Sequence, residues 1–227
     1  MRVVREEWRR RVIAEYGSAA ITNDFVGWLL RLGASPTLLH QGLPIVDDEI
    51  VHAELAFEVL REAGGGDVEL GGRALGLESL PELSLASNAC LSGVRVFCLG
   101  ETVAVRLFKR LRDGATVDVA RRALDRVLAD EVRHRDFGWL VLEWFAGRPD
   151  WSEHRALIRD RLPDLFSELR RNYEVPDAPF DEAARAFGLM PASEYRQALY
   201  ETLERDYIPR FEEYEIDARA AFDASRP

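Results

Sequence analysis

Apolar residues recur three and four positions apart over several long stretches of this chain, and no long run alternates with period two. That spacing predicts amphipathic helices and an all-α fold. A first helix is expected over 4–32, closed by Gly33, and Ser35-Pro36 supplies a cap and a first-turn proline for a second. The second runs to 63 and stops at Gly64-Gly65-Gly66. Pro44 lies inside it and should kink or split it. Residues 64–82, rich in Gly and Pro, form a connection. A third helix is expected over 83–112 and a fourth over 117–146. Beyond them come a helix over 151–173, a short one near 181–187, and a last one over 192–224, bent near Pro209. The expected organisation is a four-helix bundle over 1–147 and a C-terminal helical extension over 148–227 packed on it.

The buried seams that this periodicity defines contain residues that do not belong in an apolar core. The first reads Trp8, Val12, Glu15, Ala19, Thr22, Val26, Leu29; the second Ile45, Glu49, His52, Ala56, Val59, Ala63. The third reads Leu91, Val94, Cys98, Glu101, Val105, Phe108; the fourth Leu124, Val127, Glu131, His134, Gly138, Val141, Phe145. Every seam points a carboxylate inward, and two also point a histidine. A buried unpaired carboxylate costs several kcal/mol, and no seam position offers an arginine to pair with it. Two divalent cations would balance four glutamates. The spacing supports this: Glu49-Ile50-Val51-His52 and Glu131-Val132-Arg133-His134 are both Glu-x-x-His, which puts both side chains on one helix face. Each motif follows a lone seam glutamate on the preceding helix, like an internal repeat.

Ligand by ligand, Glu15, Glu49-x-x-His52, Glu101 and Glu131-x-x-His134 resemble the pattern of the ferritin-like dimetal carboxylate proteins. The likeness covers 4–147 and extends to Ala14-Glu15-Tyr16-Gly17-Ser18, Asp48-Glu49-Ile50-Val51-His52-Ala53 and Gly100-Glu101-Thr102, which are similar to stretches of small bacterial ferritin-like proteins. Two departures stand out: Tyr16 follows the first Glu where relatives often carry His, and Pro44 interrupts the second helix. The resemblance implies a ferritin-like bundle with two iron ions, or manganese or a mixed pair. It implies an O2-activating oxidoreductase, oxygenase or oxidase, acting on a small organic substrate with an external electron donor. Glu101 would be the catalytic carboxylate that shifts as O2 binds. It also implies that Asp48 and Asp130, each preceding a motif, serve the histidine of the other motif, Asp48 near His134 and Asp130 near His52. An iron-handling ferroxidase or peroxide scavenger and a tRNA hydroxylase-like enzyme are the alternatives.

The remaining chemistry is thinner. Arg133 should pair with a nearby acid, and Phe97, Cys98, Val105 and Phe108 could line an apolar pocket or simply pack. Cys90 and Cys98 are roughly 12 Å apart on one helix, too far for a disulfide, and free thiols suit a cytoplasmic location. His40 and His154 lack a partner at ligand spacing and are read as surface residues. The net charge of -10 disfavours nucleic acid as a partner, although Arg155, Arg159, Arg161, Arg170 and Arg171 could form a basic face. No apolar stretch approaches the roughly eighteen residues of a membrane span. The tail could instead build a homodimer.

Overall fold

The computed structural model describes residues 1–70 and 76–226, and among these the chain is helical with no strand. Its helices are α1 (Arg2–Arg31), α2 (Pro36–Glu62), α3 (Leu85–Ser92), α4 (Thr102–Gly114), α5 (Asp118–Ala146), α6 (Trp151–Tyr173), α7 (Glu182–Arg185), α8 (Ala192–Thr202), α9 (Ile208–Glu212) and α10 (Ala218–Ala224). Two π-helical segments, Gly93–Glu101 and Leu203–Tyr207, lead directly into α4 and α9. No helix among the described residues is long and apolar enough to cross a membrane. The connection expected over 64–82 includes residues 71–75, which lie outside the described residues.

The chain divides into two compact units. The first comprises Met1–Glu78, Phe108–His134 and Phe180–Met190. Its centre is the hairpin of α1 and α2. Both helices end in the same way: Gly33 and Gly64 take positive φ of 75° and 76°. The amides of Ala34 and Gly65 then reach back to the carbonyls of Leu29 and Leu60, while those of Gly33 and Gly64 reach Leu30 and Arg61. This is the doubly bonded stop that a left-handed glycine allows, and it satisfies carbonyls the helix would otherwise leave open. Ser35 caps α2 by accepting the Leu38 amide at 3.2 Å. Trp8, Val12, Phe25, Val26 and Leu29 of α1, with Ile45, Val59 and Leu60 of α2, are almost wholly buried. Each such side chain contributes about 1.5–3 kcal/mol. Of the two outcomes expected at Pro44, the split does not occur: α2 runs through it as one helix. One ladder bond is lost at a proline, whereas Leu38, Gly42, Ile45 and Asp48 keep a buried stripe on both sides of it.

The second unit comprises Ser79–Leu107, Arg135–Pro179 and Pro191–Pro227. Ser84 caps α3, accepting the Ser87 amide at 3.1 Å. Asn88 holds the preceding turn, accepting the Leu80 amide at Oδ1 and donating from Nδ2 to the carbonyls of Leu80, Leu83 and Ser84. Phe97, Phe137, Phe145, Phe166, Tyr207 and Phe211 make a fully buried aromatic core.

Two expectations fail in this unit. The third seam departs from its forecast beyond Cys98: Thr102 and Val103 are buried, while Glu101, Val105 and Phe108 are only half-buried. The π-helical turns of Gly93–Glu101 add residues per turn and rotate everything beyond them, which a fixed 3.6 period does not foresee. The last helix also fails to run to 224. It ends at Glu212, Glu215 takes a left-handed φ of 58°, and Asp217 starts α10 by accepting the Ala220 amide at 2.8 Å. An aspartate that can cap a new helix outcompetes continuation of the old one.

Gly138 marks a point of close approach. A Cβ there would meet the backbone carbon of Phe97 at 2.6 Å. Gly138→Ala should therefore destabilise the protein by about 1–3 kcal/mol through overpacking. Urea unfolding would measure this, and a change within about 0.5 kcal/mol of zero would refute the contact's importance.

Candidate metal centre

Glu49 and His52 leave one face of α2, three residues apart, and Glu131 and His134 leave one face of α5 in the same way. All four are buried, the two histidines completely. Within the first unit these side chains converge. His134 Nδ1 lies 3.3 Å from Glu49 Oε1 and 3.7 Å from Glu131 Oε2. His52 Nδ1 lies 3.7 Å from Glu49 Oε2. The two imidazole centroids are 5.7 Å apart. Glu15 of α1, half-buried, joins them: one ligand atom each from Glu15, Glu49 and His52 fall within 4.8 Å of one another. Glu49 is thus flanked by both histidines.

The far side of each imidazole is held by an aspartate. His52 Nε2 is 3.1 Å from Asp130 Oδ2, and His134 Nε2 is 3.3 Å from Asp48 Oδ2. Each aspartate serves the histidine of the opposite helix, so α2 and α5 brace each other. Two half-exposed arginines close the network from outside. Arg126 donates Nε to Asp130 and its NH2 group to Asp48 at 3.2 Å, and Arg133 likewise reaches both aspartates. Two positive charges thereby balance Asp48 and Asp130. Burial pushes the Asp130 carboxyl up, but the guanidinium groups of Arg126 and Arg133 and the His52 ring outweigh it and hold it below the usual aspartate range.

This arrangement fixes which nitrogen faces inward. An Nε2–H donated to an ionised aspartate leaves Nδ1 of a neutral imidazole as a bare lone pair. That lone pair is turned toward carboxylate oxygens, acceptor against acceptor. His52 Nδ1 and Glu49 Oε2 are buried and have no hydrogen-bond partner. Something positive has to lie among them: a proton on the ring or a cation. Burial opposes charge on both groups, yet their neighbours prevail: Glu49 and Asp130 raise His52 above its ordinary value, and His134 and His52 lower Glu49. Carboxylate oxygens and imidazole nitrogens are a donor set suited to first-row divalent metals, and the residues present fit such ions.

Other sequence candidates are placed differently. Glu101 belongs to the second unit, as the half-buried last residue of the π-helical segment. Phe97 and Cys98 are fully buried there; Phe97 stands edge-on to Phe137 with centroids 5.1 Å apart, and the Cys98 thiol donates to the Gly138 carbonyl at 3.3 Å. Burial pushes that thiol well above its ordinary pKa. Cys90 and Cys98 are both free. Val105 and Phe108 are half-buried. The second unit carries a groove of about 370 Å3 beside α6, lined by Leu162, Pro163, Ile216 and Ala220 among others, and none of these four candidates lines it. His40 is exposed, but His154 is not a surface residue. It is 3 % exposed, stacked on Phe145 and bonded through Nδ1 to the Asp150 carbonyl at the start of α6, so it is a core histidine. Of the five arginines read as a basic face, Arg155 and Arg159 engage Glu215, and Arg170 engages Glu174 and Ser225.

Arg126 escaped the sequence reading. Its signal was its place one turn before Asp130 on the same helix, the i, i+4 spacing of an ion pair. Comparison with protein-family models, with curated proteins and with solved structures finds no match to this chain.

The aspartate brace makes stability depend on pH in a definite direction. Asp130 has a folded pKa below its unfolded one, so its contribution is complete above about pH 4 and is lost as pH falls through the folded value. Replacing Arg133 with Gln should raise the folded pKa and shrink that contribution. Urea midpoints of metal-free protein between pH 3 and 6 should show a steeper acid loss in the wild type than in the variant; parallel curves would contradict the arrangement.

Proposed function

We propose that this chain is a ferritin-like dimetal carboxylate protein, a four-helix bundle with a C-terminal extension, that uses two iron ions to activate O2 and oxidise a small organic substrate. The observation that carries the proposal is the inward Nδ1 of two completely buried histidines, each fixed by an aspartate on the other motif and each turned toward Glu49. Arg126 and Arg133 pair with the outer aspartates that hold those rings.

Glu15, Glu49, His52, Glu101, Glu131 and His134 would hold the ions, with Glu101 assigned by the repeat of the sequence motif. A reduced metal pair supplies the electrons and the open coordination position that O2 chemistry needs. The chain supplies the rest. Asp48 and Asp130 orient the imidazoles, fix their tautomer and strengthen Nδ1 as a donor. Arg126 and Arg133 pair with both aspartates and hold the Asp130 carboxyl below the usual aspartate range. The buried surroundings of Glu49, Glu131 and the histidines keep water from competing for the same positions. The π-helical turns that end in Glu101 favour the same reading, since such turns occur frequently at functional sites. The negative net charge and the internal engagement of the tail arginines speak against a polyanionic tRNA substrate.

Metal analysis of protein purified from iron-supplemented cells tests the centre, with two ions per chain expected. Anaerobic addition of Fe(II) followed by O2 should give a visible absorption change and O2 uptake in excess of what free Fe(II) consumes. Glu49→Ala should abolish both, and Asp130→Asn should weaken metal binding by about 10–100-fold while leaving the helical content intact. Two ions bound with no O2 uptake would keep the centre and discard the oxidoreductase reading. A large hollow shell by native mass measurement would favour iron storage.

A further inference from the structure

Tyr207 is completely buried, at the end of the second π-helical segment, and its hydroxyl donates to the Leu99 carbonyl at 2.6 Å. A side chain that engages the backbone ladder is a known cause of local helix distortion, and here it does so inside the first π-helical segment, two residues before Glu101.

Three further hydrogen bonds anchor the same stretch inside the second unit. Trp139 donates Nε1 to Thr102 Oγ1 at 3.0 Å, and Arg106 donates twice to Asp206, the neighbour of Tyr207, at 2.9 and 2.8 Å. Leu99, Thr102 and Arg106 are therefore all gripped from outside their own helix. A π-helical turn costs packing and hydrogen-bond geometry, and persists only where surrounding structure over-determines it.

We infer that Tyr207 is a positioning residue for Glu101: its hydroxyl, donated to the Leu99 carbonyl, holds the widened turn that sets the place of Glu101. This rests on the reading of Glu101 as a metal ligand, and the experiment separates the two. Full-length wild type, Glu101→Gln, Tyr207→Phe and a variant with 3-fluorotyrosine at 207 are titrated with Co(II) under anaerobic conditions, following stoichiometry and the visible ligand-field bands. Phe keeps the ring contact with Phe166, whose centroid is 5.7 Å away, and removes only the hydroxyl. The expected result is two ions for the wild type, roughly tenfold weaker binding of one ion in both Glu101→Gln and Tyr207→Phe with the same band change, and wild-type behaviour with 3-fluorotyrosine. Wild-type titration by Tyr207→Phe, with Glu101→Gln impaired, overturns the inference and leaves the ligand assignment standing. Wild-type titration by Glu101→Gln overturns both. If Tyr207→Phe fails to fold, the wild type decides: a slowly exchanging Tyr207 hydroxyl proton supports the bond to the Leu99 carbonyl, and a rapidly exchanging one refutes it.

Discussion

The first unit depends on a solution to one electrostatic problem: Glu49, Glu131, Asp48 and Asp130 are all nearly removed from water. The four acids divide into two layers. The outer aspartates are neutralised by Arg126 and Arg133, whose guanidinium groups remain half exposed and so keep much of their own hydration. Glu49, in the inner layer, is approached by imidazole nitrogens from both helices. The histidines connect the layers, each giving one nitrogen to an aspartate and turning the other to a glutamate. Removing any outer member would release the ring that sets the inner geometry.

The crosswise pairing also explains why both acids and both histidines are needed as a set. Asp48 and His52 lie on α2, Asp130 and His134 on α5, and each bond joins one helix to the other. Two such bonds fix the register of the helices as well as the orientation of the rings. A shift of one turn would bury four charges with no partners, at a cost of several kcal/mol each. The brace therefore selects a single alignment more sharply than the aliphatic contacts above and below it, which tolerate exchange of similar volumes.

In the second unit, regular helix yields to π-helical turns twice, and Tyr207 of one bonds to Leu99 of the other. The Cys98 thiol, the Gly138 backbone and the edge-on pair of Phe97 and Phe137 lie in the same tightly packed unit. Close approach there requires the missing side chain of Gly138, a packing demand rather than a conformational one, since its φ is ordinary.

Much of this was legible in the chain alone, because helix periodicity and stop signals are local. Ser35-Pro36, Gly33 and Gly64 delimit α1 and α2 by chemistry that acts over one turn, and the seams of α1, α2 and α5 follow from spacing. The paired Glu-x-x-His motifs were visible for the same reason: i, i+3 neighbours share a face whatever surrounds them. The crosswise pairing of Asp48 with His134 and of Asp130 with His52 was already implied by the resemblance of the motifs. Only the tertiary structure decided that Arg126 joins Arg133, that α2 runs through Pro44, that His154 is buried and that the third helix widens before Glu101. Each of these depends on partners many residues away in sequence, and a hydroxyl arriving from residue 207 leaves no trace in the periodicity of residues 93–101.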